Sequence, residues 1–264
     1  MDLELGKRRA LVTGSTAGIG YAIARGLAAE GAQVVITGRT QASVDGALAR
    51  LRKELPRAAA EGIAADCATA AGAQTVFARV PEVDILVNNL GIYGRMAFFD
   101  IPDAEWQRYF EVNVLSGVRF ARHYAPAMAK LGWGRILFIS SESGLNIPRE
   151  MIHYGMSKTA QLSISHGLAM ELTGTGVTVN AVLPGPTRTE NTERLRVERA
   201  RAAGKSVQEI EEGFFRDYRP SSILRRFTSA EEVANLAVYL CGAGASATTG
   251  AALRADGGVV NQIM

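Results

Sequence analysis

The fold class of this chain is decided by one stretch near its start, ALVTGSTAGIGYAIARGL, which covers residues 10–27. Its first residues form an apolar run that predicts a strand, and Ile19, Ile23 and Leu27 then recur at helical spacing. Glycines between the two patterns allow a tight turn and let an anionic group approach the backbone N–H groups at the start of the helix. The turn therefore predicts a phosphate site. Its candidate residues are Gly14, Ser15, Thr16, Gly18, Ile19 and Gly20.

The alternation of strand and helix continues along the chain. Strand patterns run at residues 9–13, 33–37, 60–65, 84–88, 135–140, 177–182 and near 252–255. The inner runs are continuously apolar, which is typical of strands that helices bury on both faces. Helical patterns lie at about 106–118, 154–172 and 230–240. We therefore predict an α/β fold, a doubly wound parallel seven-stranded sheet flanked by helices (the Rossmann architecture), in one domain over residues 1–264.

Composition excludes several classes of protein. Apolar residues make up 47% and charged residues 21% of the 264 residues, as in ordinary globular proteins. The net charge is only +3, and the basic residues are interleaved with acidic ones, so no nucleic-acid partner is expected. No apolar run reaches the roughly 18 residues that suggest a membrane span, and the start lacks the pattern of a signal peptide. We expect a cytoplasmic protein.

Cysteine and histidine usage gives no metal pattern. Cys67 and Cys241 lie among alanines, and we expect both to be buried as small hydrophobic residues. The three histidines are not spaced as zinc ligands, and no carboxylate cluster is present, so no metal site is expected.

One segment, residues 187–226, differs from the rest. It is dense in arginine and glutamate and has few apolar residues before Phe214 and Phe215. Two interpretations are open. The segment is either a solvated helical excursion or a lid over a site, because it follows directly after the sixth predicted strand.

A tyrosine, a lysine and a serine form the candidate reaction centre. Tyr154 and Lys158 are four residues apart on a predicted helix and share one face. A nearby ammonium favours the phenolate form of a tyrosine, whose ordinary pKa near 10 makes it a poor base at neutral pH. Ser141 follows the fifth predicted strand, at the edge of the sheet where ligands bind in open α/β folds. Its hydroxyl can hold a substrate oxygen while Tyr154 exchanges a proton with it.

The end of the second strand bears on cofactor choice. An acid at this place holds a free ribose 2′-hydroxyl, whereas an arginine accommodates a 2′-phosphate. Gly38 stands where the acid is expected, and Arg39 follows. The pattern favours NADP(H), with NAD(H) possible, and the alternative is an arginine that only faces solvent.

These motifs, taken in order, resemble the short-chain dehydrogenase/reductase family, in its standard-length branch near the 3-oxoacyl-carrier-protein reductases. The resemblance covers nearly the whole chain, from the glycine turn to the closing segment Asp256-Gly257-Gly258. It departs from the family pattern at Leu90, where the family has alanine, and at Ala17, where NADP-preferring relatives often carry a basic residue. The resemblance implies a catalytic tetrad of Asn113, Ser141, Tyr154 and Lys158.

The resemblance also implies the residues that bind the dinucleotide. Asp66 matches the acid at the adenine ring, and the segment around Pro184 matches the one that embraces the nicotinamide. Lys158 is implied to bind the nicotinamide ribose, and Asn113 to position a water for a proton relay. The complete implied set is Gly14, Ser15, Thr16, Gly18, Ile19, Gly20, Arg39, Asp66, Cys67, Asn89, Gly91, Tyr154, Lys158, Pro184, Gly185, Thr187 and Thr189.

The implied activity is reversible hydride transfer between nicotinamide and a small carbonyl or secondary-alcohol substrate. The alternatives are a 3-oxoacyl-carrier-protein reductase specifically and a non-catalytic sensor of dinucleotides. The docking patch of such a reductase could include Arg194, Arg196, Arg199 and Arg201. Relatives often form tetramers through helices at about 103–130 and 154–172 and the last strand, so a homo-oligomer is expected.

The candidate substrate-facing residues include the segment from Pro186 onward. For Glu142 and His153 the alternative is a surface or helix-capping role, and for the phenylalanines it is the core. The other candidates are Tyr93, Phe98, Phe99, Glu142, Ile147, Met151, His153, Phe214 and Phe215.

Overall fold

The structure, a computed structural model, describes residues 2–263. Seven strands form one parallel sheet in the order β3-β2-β1-β4-β5-β6-β9, which confirms the predicted fold class. The strands are β1 Arg9–Val12, β2 Gln33–Gly38, β3 Ala60–Ala64, β4 Ile85–Asn88, β5 Gly134–Ile139, β6 Val177–Pro184, β7 Thr187–Arg188, β8 Thr228–Ser229 and β9 Ala252–Ala255.

Nine α-helices connect and cover these strands within the described residues. They are α1 Gly18–Ala29, α2 Gln41–Glu54, α3 Ala70–Arg79, α4 Asp103–Tyr109, α5 Ser116–Leu131, α6 Ile152–Glu171, α7 Glu190–Ala203, α8 Val207–Asp217 and α9 Ala230–Cys241. A π-helical turn, Phe110–Leu115, joins α4 to α5, and a short 3-10 turn, Glu142–Gly144, follows β5.

Two apolar cores lie on the two faces of the sheet. One packs α1, α2 and α9 against the strands through residues such as Leu27, Val44 and Val233. The other packs α3 and α5 through Phe120 and Tyr124, among others. Burial on both faces explains why the inner strands are apolar throughout rather than alternating. Cys67 and Cys241 are buried and unpaired, as expected.

Several predicted strand bounds differ from the observed ones by one residue. Asp84 precedes β4, and its carboxylate accepts from the backbone N–H of Arg9 at 2.8 Å. Ser140 follows β5, and its hydroxyl donates to the carbonyl of Lys158 at 2.8 Å. The backbone N–H groups of both residues also bond to neighbouring strands, to the carbonyls of Arg9 and Val182, so these side-chain bonds reinforce the ends of the sheet.

The order of the strands determines where the site lies. β1 lies between β2 and β4. Strands β2 and β3 are added on one side of β1, and the strands from β4 onwards are added on the other side, so the strand order reverses at β1. In open α/β sheets the crevice outside the carboxyl ends of such strands is where ligands bind. The glycine turn follows β1 at this edge, and Ser141 follows β5 at the same edge.

The segment 187–226 folds into α7 and α8 between two short strands, β7 and β8, which pair with each other. Each helix begins with a capping box, at Thr189 and at Ser206. Arg196 of α7 is buried in ion pairs with Glu193 and with Glu211 of α8. The segment therefore packs as a helical pair at the edge of the sheet and is not a bare solvated face.

No helix within residues 2–263 has the length and apolar character needed to cross a membrane. In the same part of the chain, no group of three or more histidine, cysteine, aspartate or glutamate side chains is arranged to hold a metal ion.

Candidate active site

The predicted reaction centre assembles at the carboxyl edge of β5. Ser141 and Tyr154 line the same cavity as Lys158. The Ser141 hydroxyl oxygen accepts from the backbone N–H of Ser143 at 3.1 Å, which caps the 3-10 turn that follows. Because the oxygen is held in this way, the hydroxyl hydrogen remains available to another acceptor.

Burial has the largest effect on the pKa of Tyr154 and raises it well above its ordinary value. The charge of Glu142 raises this pKa further, whereas hydrogen bonding with Ser141 lowers it. Lys158 was expected to lower this pKa. Its Nζ is 5.7 Å from the centre of the Tyr154 ring, and burial lowers the pKa of the lysine itself to about 7. In this geometry the phenol is protonated at neutral pH.

Lys158 is held from behind by two acceptors. Its Nζ donates to the carbonyl of Ile139 at 2.9 Å and to the side-chain carbonyl of Gln161 at 3.1 Å. The amide nitrogen of Gln161 donates in turn to the backbone carbonyl of Asn113 at 2.7 Å. The Asn113 side chain is bonded to the backbone of Ile92 and to Ser157. Gln161 is thus a buried link between two members of the tetrad.

The glycine turn is closed by Asn89. Its side-chain amide donates to the carbonyls of Thr13 and Gly14 at 3.0 and 3.1 Å. A Cβ at Gly20 would lie 2.5 Å from the Gly14 carbonyl oxygen and would also collide with the Asn89 amide, so only glycine fits there. Ser15 differs from its predicted role. Its hydroxyl is fully buried and bonds Val12 and Thr37 between β1 and β2, so it supports the turn from inside.

An exposed arginine, Arg39, follows the end of β2. A Cβ at Gly38 would lie 2.5 Å from the Thr16 methyl group, so an acidic side chain at this position would require Thr16 to shift. Arg39 follows and is exposed, and no carboxylate among residues 2–263 pairs with it. Asp66 is exposed at the end of the neighbouring strand, whereas the Cys67 thiol is buried, and burial raises its pKa to about 11.

A cavity of about 610 Å³ joins the turn to the reaction centre. Most of the predicted site residues line it, whereas Gly14, Ser15, Thr16, Arg39, Asp66, Cys67 and Asn113 do not. The predicted residues along its wall are Gly18, Ile19, Gly20, Asn89, Gly91, Ser141, Tyr154, Lys158, Pro184, Gly185, Thr187 and Thr189.

Comparison with known proteins agrees with this geometry. A family model described as enoyl-(acyl carrier protein) reductase matches residues 14–260. The uncharacterized oxidoreductase YvaG of Bacillus subtilis (strain 168) is 47% identical over 263 residues and covers 100% of both chains. The 3-oxoacyl-(acyl-carrier-protein) reductase FabG of Aquifex aeolicus (strain VF5) is 33% identical over 263 residues, 98% of this chain and 100% of the relative.

Among solved structures, L-sorbose reductase from Gluconobacter frateurii, complexed with NADPH and L-sorbose, matches with a TM-score of 0.93 at 30% identity and covers 100% of both chains. The chain belongs to the short-chain dehydrogenase/reductase family. Beyond Ser141 the cavity continues to Glu142, Ser143 and Arg219.

That part of the cavity contains a buried ion pair that sequence reasoning missed. The carboxylate of Glu142 accepts from the Arg219 guanidinium at 2.8 Å and from the Ser143 hydroxyl at 3.0 Å. Glu142, a candidate for contact with polar substrate groups, is only 3% exposed, which contradicts the alternative that it lies at the surface. Burial raises the pKa of its carboxyl, and Arg219 opposes that shift. The 77 residues between the partners explain why no local pattern indicated the pair.

The other substrate-facing candidates divide into two groups. Tyr93, Met151 and Phe214 line the cavity. His153 instead packs against Tyr109, with ring centres 4.2 Å apart, and lies outside the cavity. The remaining candidates outside the cavity are Phe98, Phe99, Ile147 and Phe215.

One carboxylate stands at the predicted phosphate site. Glu190, the first residue of α7, accepts from the backbone N–H of Gly18 at 2.9 Å and pairs with Arg50 of α2 at 3.0 Å. The N–H groups at a helix start attract anions, and here the carboxylate of the segment 187–226 takes one of them.

Proposed function

We propose that this protein is an NAD(P)(H)-dependent oxidoreductase that interconverts a carbonyl and a secondary alcohol. Tyr154 acts as general acid in reduction and as general base in oxidation. The observation that carries the proposal is the meeting of Ser141, Tyr154 and Lys158 with the glycine turn in one cavity. The oxidoreductase names of the relatives support the same chemistry.

The residues present fit a dinucleotide. At Gly20 the backbone forms a cradle that any Cβ would fill, and Gly18, Ile19 and Gly20 line the cavity at the start of α1. The N–H of Gly18 is bonded to Glu190, and a pyrophosphate would have to displace this carboxylate to use it. As the family resemblance implies, we propose that Asp66 binds the adenosine end and the segment 184–189 the nicotinamide end. When bound, the dinucleotide supplies or accepts the hydride. Lys158 uses two of its three N–H donors inside the protein, which leaves one for a ribose hydroxyl.

The protein's part in the reaction is orientation and proton exchange. Ser141 donates a hydrogen bond to the substrate oxygen, and the protonated Tyr154 phenol gives that oxygen its proton as the alcohol forms. In the oxidative direction the phenolate must accept the proton, and Ser141 favours that form by hydrogen bonding.

We propose that NADP(H) is preferred. Arg39 is exposed and unpaired among the described residues, Gly38 leaves no place for an acid, and Thr16 lies beside them. A guanidinium suits a 2′-phosphate because it can donate two parallel hydrogen bonds. The structural relative that was solved with NADPH supports this preference.

We propose that the substrate carries polar groups. A buried carboxylate and guanidinium, Glu142 and Arg219, lie next to Ser141, and a hydroxylated substrate can bond to both. L-sorbose, the substrate complexed with the structural relative, is a compound of this kind. We therefore propose a hydroxylated ketone or the corresponding alcohol as the substrate class.

A carrier-protein reductase is the second candidate, because the family model and a 33% identical relative bear that description. The basic docking patch that such a reductase needs has fewer unpaired arginines in this chain than the sequence suggested. Arg194 pairs with Glu198, and Arg196 is buried with Glu193 and Glu211, which leaves Arg199 and Arg201 unpaired among residues 2–263.

The deciding experiment measures NADPH and NADH oxidation with hydroxylated ketones, simple ketones, quinones and a β-ketoacyl thioester, and the reverse reaction with alcohols. We expect turnover with a hydroxylated ketone and a loss of about 10³-fold or more in Tyr154→Phe, with dinucleotide binding kept. Turnover confined to the thioester would establish the carrier-protein reductase instead. Binding of NADPH without turnover in either direction would favour the dinucleotide sensor.

A further inference from the structure

Both ends of the Gln161 side-chain amide are hydrogen-bonded inside the protein. Gln161 lies on α6, one turn after Lys158, and is only 1% exposed. Its carbonyl accepts from Lys158 Nζ at 3.1 Å, and its amide nitrogen donates to the Asn113 backbone carbonyl at 2.7 Å. An amide is suited to this position because it carries an acceptor at one end and a donor at the other.

Both partners of Gln161 are themselves fixed. Asn113 lies in the π-helical turn between α4 and α5, and π turns interrupt the regular hydrogen-bond ladder of a helix. Its side chain bonds Ile92 and Ser157, so its backbone carbonyl is a rigid anchor. Lys158 is 4% exposed, and its remaining bond is to the carbonyl of Ile139.

We propose that Gln161 is a positioning residue for the reaction, because its amide ties the ammonium of Lys158 to the carbonyl of Asn113. This inference rests on the proposed function. The family resemblance implied that Asn113 and Lys158 are connected, and in this chain the Gln161 amide bonds to both. Gln161 thereby aims the third N–H of Lys158 at the cavity and stabilises the charged form of the lysine, which burial otherwise disfavours.

The charges around Lys158 make this role measurable. Burial is the one cause that shifts its pKa, so no charged side chain of residues 2–263 compensates the ammonium. Tyr154 is the titratable group that faces Nζ, and Glu142, Arg219 and Tyr93 act on Tyr154 from the other side. Within residues 2–263 the acceptors that hold the ammonium are the Ile139 backbone carbonyl and the Gln161 side-chain carbonyl.

The test compares Gln161→Leu with Gln161→Glu, because the two changes act on Lys158 in opposite directions. Leucine removes an acceptor from Nζ, whereas glutamate places a negative charge beside it. We expect the pH above which kcat/KM falls to move down by about one unit in the leucine variant and up by a similar amount in the glutamate variant. In the leucine variant kcat should fall about tenfold with little change in the KM of the substrate.

Ser165→Ala is the matched control. Ser165 is a buried polar residue one turn further along α6, and its hydroxyl has no hydrogen-bond partner within residues 2–263. It should leave the pH profile unchanged. Unaltered profiles in both Gln161 variants, with thermal unfolding showing that they are folded, would overturn the proposal.

A second measurement separates this inference from the proposed function. The dissociation constant of NADPH, followed by its fluorescence against pH, reports the charge of Lys158 without any turnover. We expect binding to weaken at lower pH in Gln161→Leu than in the natural protein, and at higher pH in Gln161→Glu. Opposite shifts in binding would support the role of Gln161 even if no substrate were turned over, and identical binding curves would refute it.

Discussion

At the scale of single residues, Lys158 combines burial with a charge. Its ammonium is held by backbone and amide oxygens rather than by a carboxylate, and burial lowers its pKa from 10.5 to about 7. The folded protein therefore binds fewer protons at this site than the unfolded chain between about pH 7 and pH 10.5. The free energy of unfolding should rise with pH across this window, and the cost of burying the charge is fully present below it.

This leads to a prediction about stability. Lys158→Met removes the buried charge. Near pH 6.5 the free energy of unfolding of this variant should therefore exceed that of the natural protein by about 1–2 kcal/mol, and this difference should vanish towards about pH 10. Denaturant unfolding at several pH values measures the difference. Lys205→Met, at an exposed lysine, is the control and should show no such trend. A constant difference at every pH would mean that packing, not charge, is responsible.

Arg39 is the residue that should determine cofactor choice. Arg39→Gln keeps a polar side chain but removes the charge, so the Kd of NADPH should rise about 10- to 100-fold while that of NADH changes little. Arg52→Gln, at an exposed arginine of α2, is the matched control. Equal effects on both dinucleotides would show that Arg39 does not contact the 2′-phosphate.

At the scale of elements, α7 is tied to the phosphate site by its first residue. Glu190 accepts from Gly18 and pairs with Arg50, so α1, α2 and α7 meet at one carboxylate. Hydrogen bonds and Arg50 lower the pKa of Glu190, so it is charged at neutral pH. A charged carboxylate and a pyrophosphate compete for the same N–H groups.

Glu190→Gln should therefore tighten dinucleotide binding. The change removes a like charge beside the pyrophosphate and frees Arg50, so we expect the Kd of NADPH to fall about three- to tenfold. Glu198→Gln lies on the same helix and also removes half of an ion pair, but away from the site, and serves as control. Weaker binding in Glu190→Gln would show that the carboxylate instead helps to close α7 over the bound dinucleotide.

At the scale of the whole molecule, α6 has an exposed glycine that the single chain does not explain. Gly167 lies within α6, and a Cβ there would meet nothing within 4 Å. A mid-helix glycine costs about 1 kcal/mol relative to alanine. Gly46 of α2 has the same open space, so it is the family resemblance, which implies pairing of copies through α6, that singles out Gly167. β9 lies at an edge of the sheet nearby, bonded to β6 on one side only. We propose a homo-oligomer, a tetramer or dimer, in which α6 and β9 face a second copy.

Gly46 provides the matched control for this proposal, since it also lies mid-helix, in α2, with open space around its Cβ position. Gly46→Ala should stabilise the protein by about 0.5–1 kcal/mol. Gly167→Ala should instead destabilise it, and Gly167→Arg should yield a smaller species in light scattering, because the added side chains meet the partner. Equal stabilisation by both alanine substitutions, with no change in mass, would show that α6 is free.

Local patterns in the sequence are sufficient to predict the sheet and the order of its motifs. Apolar runs specify buried strands, and the glycine turn, Tyr154, Lys158 and Ser141 are recognisable because each depends on spacing within one element or on its junction with the next. For the same reason the bounds of β9 and the start of α9 were predicted correctly. Strand ends were predicted less exactly, since residues 84 and 140 were placed inside strands that begin at Ile85 and end at Ile139.

The pairing of distant polar groups is visible only in the folded molecule. Gln161 bonds a carbonyl 48 residues away, Glu142 meets Arg219 across 77 residues, and Glu190 reaches Gly18 across 172. A polar side chain looks the same in sequence whether it faces water or a buried partner. Which of the two holds depends on the elements that the fold brings together, since burial makes an unpaired polar group costly and so forces the pairing.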